Sequence, residues 1–238
     1  MTDPVSSARD SSDRYKDGAY LAQNPSWGVE DSAWKAEKIH QLMVDSGLST
    51  RTICEVGCGA GEVLNQLSQR YPSAQYTGYE VSPQAYELCL TRTKPNVNFV
   101  LDDINKRSVN FDLLLCLDVL EHVEDYLGFI KAIKAKATYK IFHIPLDLSV
   151  LGIVSGSIMT ARHQLGHLHY FSKDTALATL NDAGYEIVNW RFATAFSEIP
   201  AKSMRAQITK WPRTLLHGIS PSLSAKLLGG SSLLVLAK

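Results

Sequence analysis

Residues 53–61 read Ile53-Cys54-Glu55-Val56-Gly57-Cys58-Gly59-Ala60-Gly61, and this run decides the fold. An apolar strand over residues 52–56 enters glycines at alternate positions, and a helical run begins at Glu62. Glycine lets a backbone turn sharply and approach a ligand with no Cβ in the way. The helix that follows brings its free N–H groups to the same spot. Such a turn holds the nucleoside end of a cofactor at the carboxyl edge of a parallel sheet. The spacing is G-x-G-x-G, not the G-x-G-x-x-G of dinucleotide enzymes. Glu55 precedes the first glycine by two positions, where a carboxylate repels pyrophosphate and attracts an ammonium or sulfonium.

Outward from this turn, strand and helix alternate. A second strand over residues 75–79 ends in Glu80, about twenty residues beyond the glycines, where a carboxylate can accept both hydroxyls of a ribose. A third, residues 97–101, runs into Asp102-Asp103-Ile104. A fourth, residues 111–117, runs into Asp118-Val119-Leu120-Glu121-His122-Val123, and a fifth over residues 139–144 is stopped by Pro145. Helices are expected over residues 33–44 behind Asp31-Ser32, from Gly61 to about Arg70, from Ser82-Pro83 to about Arg92, and over residues 126–136. A helix over residues 174–183, a strand over 185–192 and a closing strand over 232–237 follow. The alternation predicts a parallel sheet with helices on both faces.

With these motifs in this order, the chain resembles the class I S-adenosylmethionine-dependent methyltransferases. The run 118–123, together with Gly166-His167-Leu168-His169-Tyr170-Phe171-Ser172 and Asp182-Ala183-Gly184-Tyr185-Glu186, is similar to their ubiquinone-biosynthesis O-methyltransferase-like branch (methyltransferase types 11–12). The resemblance spans residues 50 to 195. It implies an α/β, Rossmann-like, mostly parallel seven-stranded sheet of order 3-2-1-4-5-7-6 with the last strand antiparallel. It implies S-adenosylmethionine (SAM) as cofactor and S-adenosylhomocysteine as product. By the same resemblance Glu55 serves the amino-acid end, Gly57, Cys58 and Gly59 give backbone contacts, and Gly61 permits close helix approach. Glu80 holds the ribose, Asp103 or Asp102 the adenine amine, Ile104 offers its N–H to the ring, and Leu117 its carbonyl to the methionyl ammonium.

Methyl transfer from a sulfonium is an in-line displacement whose main demands are alignment and exclusion of water. A hydroxyl acceptor also needs a base, a role that histidine fills near neutral pH. The base candidates, in order, are His143, His167 and His169, with His122 behind them because it opens a helix in relatives of unlike chemistry. Asp118-x-x-Glu121-His122, with His143 to complete the set, invites a hard divalent cation. The metal is left open, because the first carboxylate is Asp where such relatives carry Glu. The acceptor is expected to be a small molecule or saccharide unit methylated on a hydroxyl oxygen. An N-methyltransferase, or a SAM-binding protein without turnover, would carry the same cofactor motifs.

The domain expected is residues 31–238, preceded by an N-terminal extension (1–30) that is partly disordered and carries Tyr15, Tyr20 and Trp27 as a candidate cover. Residues 145–166 form a candidate lid and residues 199–228 a helical insertion before the last strand. Lys+Arg 24 balances Asp+Glu 24, so no global field argues for nucleic acid. From Ala201 onward the chain has six basic residues and no acid. The four cysteines lack a C-x-x-C pair, and Cys54 and Cys116 read as small buried hydrophobes, which fits a reducing, cytoplasmic setting. The first residues are polar, unlike a secretory signal, and the apolar stretch 144–159 is too short to span a bilayer, so no stable membrane insertion is expected.

Overall fold

The computed structural model describes residue 15, residues 19–198 and residues 204–238. The disorder expected at the N-terminus falls on residues that lie outside the described ones. The strands are β1 Thr52–Val56, β2 Gln75–Glu80, β3 Val97–Leu101, β4 Phe111–Leu117, β5 Ala137–Pro145, β6 Ile187–Ala193 and β7 Ser232–Ala237. They form one seven-stranded sheet of order β3-β2-β1-β4-β5-β7-β6. β1 to β5 pair in parallel, and β7 runs antiparallel to both β5 and β6. This is the order and polarity that the resemblance implied.

The helices are α1 Ala19–Gln23, α2 Val29–Asp45, α3 Glu62–Arg70, α4 Pro83–Leu90, α5 Tyr126–Ile133, α6 Val150–Val154, α7 Ser157–Thr160, α8 Lys173–Asp182, α9 Ala195–Glu198, α10 Met204–Ile219 and α11 Pro221–Leu228. Strand alternation sorts the core into two layers, because successive side chains leave a strand on opposite faces. Ile53, Leu113, Leu115, Leu234 and Leu236 join Ile39, Leu42, Leu64 and Leu67 of α2 and α3. Cys54, Leu114, Cys116, Leu233 and Val235 join Ile130, Ile133, Ala176 and Leu180 of α5 and α8. The central strands are apolar on both faces because both faces are covered. All four cysteines are free and buried, Cys54 and Cys116 as expected.

Several boundaries differ from expectation. β5 begins at Ala137 rather than residue 139, and β6 at Ile187 rather than 185. α2 begins at Val29, four residues before the expected start at 33, because Trp27 (φ 50°) and Gly28 (φ 73°) turn the chain through two left-handed residues into the first turn. Glu30 and Asp31 then lie within that first turn, where negative charge favours the helix dipole. The helix expected over residues 126–136 ends at Ile133 and tightens into a 3-10 turn over Lys134–Lys136.

Residues 145–166 hold α6, α7 and one π turn over Ala161–Leu165, broken by Gly156 and Gly166 at positive φ. Of the expected insertion over residues 199–228, the described residues form α10 and α11. Ser220 caps α11 by accepting from the Leu223 N–H, and Pro221 occupies its first turn. Among the described residues no helix is long and apolar enough to cross a membrane.

Candidate active site

The carboxyl ends of β1, β2 and β4 open into a cavity of about 540 Å³. Its floor is the glycine turn, its sides Glu80 and Leu117-Asp118, and its cover Tyr15, Tyr20 and Trp27. The three cover rings pack on one another with centroids 4.7–6.3 Å apart.

The turn is fixed by its neighbours. The N–H groups of Gly57 and Cys58 both donate to the Tyr79 carbonyl, at 2.8 and 3.1 Å. Gly57, Gly59 and Gly61 all have φ between 54° and 76°. A Cβ on Gly59 would stand 3.7 Å from the Trp27 carbonyl, in the space between turn and cover. A Cβ on Gly61 would fall 2.4 Å from the Phe99 ring, so this glycine serves packing of α3 against β3. Gly61→Ala is therefore expected to cost about 2–4 kcal/mol, from the left-handed backbone plus overpacking. Denaturant unfolding checks it, and a midpoint equal to that of the wild type would show that the Phe99 ring turns aside.

Glu80 is buried, with both carboxylate oxygens engaged within the turn. One carboxylate oxygen accepts from the Val81 and Ser82 N–H groups, both at 2.8 Å, and the other from Gly59 N–H at 2.9 Å. Burial raises its carboxyl above the ordinary range, with the three backbone donors pulling the other way. Glu55 is buried with Oε2 unpartnered, and burial pushes its carboxyl well up despite Lys35 nearby. An orphaned carboxyl beside three Cβ-free positions fits a cationic ligand carrying a nucleoside. The adenine end agrees less well. The cavity reaches Val81 but is not lined by Asp102, Asp103 or Ile104. Asp102 pairs with Arg107 at 2.6 Å, Asp103 caps the 3-10 turn that follows, and Ile104 is fully buried.

The histidines sort differently from their order in the sequence reading. His143 is buried and does not line the cavity. Its Nδ1 meets Asp118 Oδ1 at 2.6 Å, and Asp118 also takes Lys35 Nζ at 2.6 Å. Burial alone would raise the Asp118 carboxyl, but these two partners hold it well below the usual range. His169 donates from Nε2 to the carbonyls of Val123 and Glu124, at 2.9 and 3.1 Å, and stacks on Tyr126. That pins the loop after β4 and takes His169 out of the cavity.

His122 is the histidine that lines the cavity among the described residues. Its Nδ1 lies 3.2 Å from the Gly166 carbonyl and 2.9 Å from the Tyr15 hydroxyl. A carbonyl can only accept, so Nδ1 carries the proton and Nε2 the lone pair. Behind it His167, buried, places Nδ1 2.5 Å from Asp147 Oδ2, which likewise leaves Nε2 as its lone pair. The two rings meet edge to face at 5.0 Å. Glu121 lies beneath, 1% exposed, with neither oxygen hydrogen-bonded and Oε1 3.9 Å from His122 Nε2. Burial, then the charge of Asp118, pushes its carboxyl well above the ordinary range.

Ligand atoms of Glu121, His122 and His167 lie within 4.8 Å of one another. Two imidazoles held at Nδ1 by a carbonyl and a carboxylate, facing an orphaned carboxyl, suit a divalent cation. This set differs from the one read from the sequence, where the metal was left open. Asp118 pairs with both His143 and Lys35, while His167 arrives from the far side of residues 145–166. Spacing along the chain could not show that return.

A family model described as "Methyltransferase domain" matches residues 31–189. A ubiquinone biosynthesis O-methyltransferase from Idiomarina loihiensis is 30% identical over 154 residues, 58% of this chain and 62% of that protein. A trans-aconitate 2-methyltransferase from Deinococcus radiodurans is 34% identical over 74 residues, 31% of this chain and 29% of that protein. The chain thus spans less than two thirds of either relative. The structure of magnesium protoporphyrin IX methyltransferase from Synechocystis PCC 6803 with bound SAM superposes with a TM-score of 0.62 at 15% identity, covering 98% of this chain and 99% of that one. The chain therefore belongs to the methyltransferase domain family, in its class I, S-adenosylmethionine-dependent form.

Proposed function

We propose that the protein transfers a methyl group from SAM to a hydroxyl oxygen of a small-molecule acceptor. The observation that carries this reading is one cavity with two unlike ends. At one end the glycine turn, Glu55 and Glu80 offer backbone approach and carboxyl groups to a cationic nucleoside. At the other, His122 offers an imidazole oriented by Gly166 and Tyr15.

In this reading Glu55 meets the methionyl ammonium and Glu80 the ribose hydroxyls, the latter by sharing oxygens that already brace the turn. Tyr20 and Trp27 close over the cofactor and exclude water, and His122 takes the acceptor's proton as its oxygen attacks the methyl carbon. The sulfonium loses its charge in that step, so alignment matters more than stabilisation of a charged transition state. The adenine-binding roles of Asp102, Asp103 and Ile104 require rearrangement of the 102–107 turn, beginning with release of Arg107. Asp118 and His143 serve as positioning residues that tie α2 to the ends of β4 and β5.

A second use of the acceptor end is supported by the unpartnered Glu121. Glu121, His122 and His167 would hold a divalent cation, which when bound lowers the pKa of a coordinated hydroxyl. Release of S-adenosylhomocysteine, followed across catechols, simple alcohols, sugars and amines, tests the reaction. Turnover is expected with hydroxylated acceptors alone, and turnover confined to amines would overturn the oxygen reading. Chelation followed by addition of Mg²⁺, Mn²⁺ or Zn²⁺ separates the two uses of His122. Activity indifferent to chelator, with no metal retained by elemental analysis, would leave His122 as the sole proton acceptor.

A further inference from the structure

α10 presents an apolar stripe to solvent. Ile208, Trp211, Leu215 and Ile219 are 70%, 81%, 71% and 75% exposed. Their spacing places all four on one side of the helix, within the arc that a buried helix would turn to a core. Among the described residues that arc covers nothing. The helix packs by its other side on α11, and α11 packs on α6 of residues 145–166. α6 repeats the pattern, with Val150, Ile153 and Val154 at 54%, 60% and 80% exposure. Large apolar side chains are therefore bare on neighbouring helices, where isolated exposed ones would need no explanation.

The charge of the same two segments is one-sided. Not one of the chain's 24 Asp and Glu residues falls within residues 148–173 or 199–238, while Lys and Arg occur in both. Some of these cations are engaged locally: Arg213 donates to the Leu228 carbonyl, and Lys226 pairs with Asp174. Arg162 and His163 stand exposed at the end of the π turn. A protein partner would be met by mixed charge at its rim. Apolar side chains, a tryptophan and two segments without acids of their own, with Asp147, Asp174 and Glu198 only at their borders, instead suit an anionic bilayer. At 16 residues, α10 is about 24 Å long, and no described helix is apolar enough to cross a membrane. Its geometry is that of a helix lying in the interface.

We propose that α10, with α11 and α6 beside it, is a docking surface for an anionic lipid bilayer, entered by Ile208, Trp211, Leu215 and Ile219. Because α6 belongs to the segment that ends in Gly166 and His167, docking would set residues 145–166 against the lipid at the acceptor end of the cavity. The assignment does not depend on which acceptor is methylated.

The test is co-sedimentation of the full-length protein with phosphatidylcholine vesicles, with and without about 30 mol% phosphatidylglycerol. Binding is expected to be roughly tenfold or more stronger to the anionic vesicles, and to weaken as salt rises from about 0.1 to 0.5 M. The triple variant Ile208→Ser, Trp211→Ser, Leu215→Ser should lose that binding while keeping the wild-type affinity for S-adenosylhomocysteine, which shows that it is folded. Light scattering without lipid completes the set. No sedimentation of the wild type, or sedimentation unchanged in the variant, overturns the proposal. So does a wild-type dimer that the variant dissociates, since the stripe would then be an interface between copies.

Discussion

Glu80→Ala is expected to lower the affinity for S-adenosylhomocysteine by roughly 10²- to 10⁴-fold. Two ribose hydroxyls lose a charged acceptor at about 1.5–3 kcal/mol each, and about 1.4 kcal/mol is a factor of ten. The structure adds a second route to the same loss. The carboxylate receives the Gly59, Val81 and Ser82 N–H groups, so removing it also releases the turn between β1 and α3. Glu80→Gln separates the two contributions. Its amide keeps the shape but turns an NH₂ toward either the turn or the ribose, and an intermediate loss should follow. Calorimetry on both variants, with thermal unfolding alongside, provides the check. An alanine variant binding within about threefold of wild type would remove Glu80 from the ribose site.

His122→Ala should lower kcat by about 10²- to 10⁴-fold, the usual contribution of a positioned acid or base. Cofactor affinity should stay near that of the wild type, since His122 lies at the opposite end of the cavity from Glu80. His143→Ala makes the contrast. It breaks the Asp118–His143–Lys35 cluster, so it should reduce stability and cofactor affinity more than it reduces turnover at saturating cofactor. His167→Ala then distinguishes the uses of His122. A loss as large as that of His122→Ala points to a shared cation, a smaller one to support of the imidazole. Full activity in His122→Ala would mean that the acceptor needs no base on this side, as an amine would not.

The half of the site proposed to bind the cofactor was legible because its chemistry lies in one local run. A strand, three alternate glycines and a helix start specify a turn, and the acid at the end of the next strand follows from parallel pairing. The acceptor half was not legible in the same way. The sequence puts His143 at the end of a strand and His167 and His169 just after residues 145–166, and ranks them in that order. What separates them is tertiary: Asp118 takes up His143, two backbone carbonyls take up His169, and residues 145–166 fold back to set His167 behind His122. His122 was ranked low on family grounds, although its place right after β4 already put it at the carboxyl edge. Asp102 and Asp103 show the opposite case. Their position at a strand end was read correctly, but Arg107 and the 3-10 turn engage them locally.

The turn at Trp27 and Gly28 bears on how the cavity opens. Tryptophan is costly in the left-handed region, by about 1–2 kcal/mol, and its indole N–H is buried without a partner. Just beyond, α2 is held fast, with Lys35 clamped to Asp118 and Ile39 and Leu42 sunk in the core. The cover on the other side of this turn thus hangs from a strained joint beside a fixed jamb. A movement that let Trp27 leave the left-handed region would recover that cost, equivalent to a factor of roughly five to thirty. Under the proposed function, such a movement would help the cover open and the product leave.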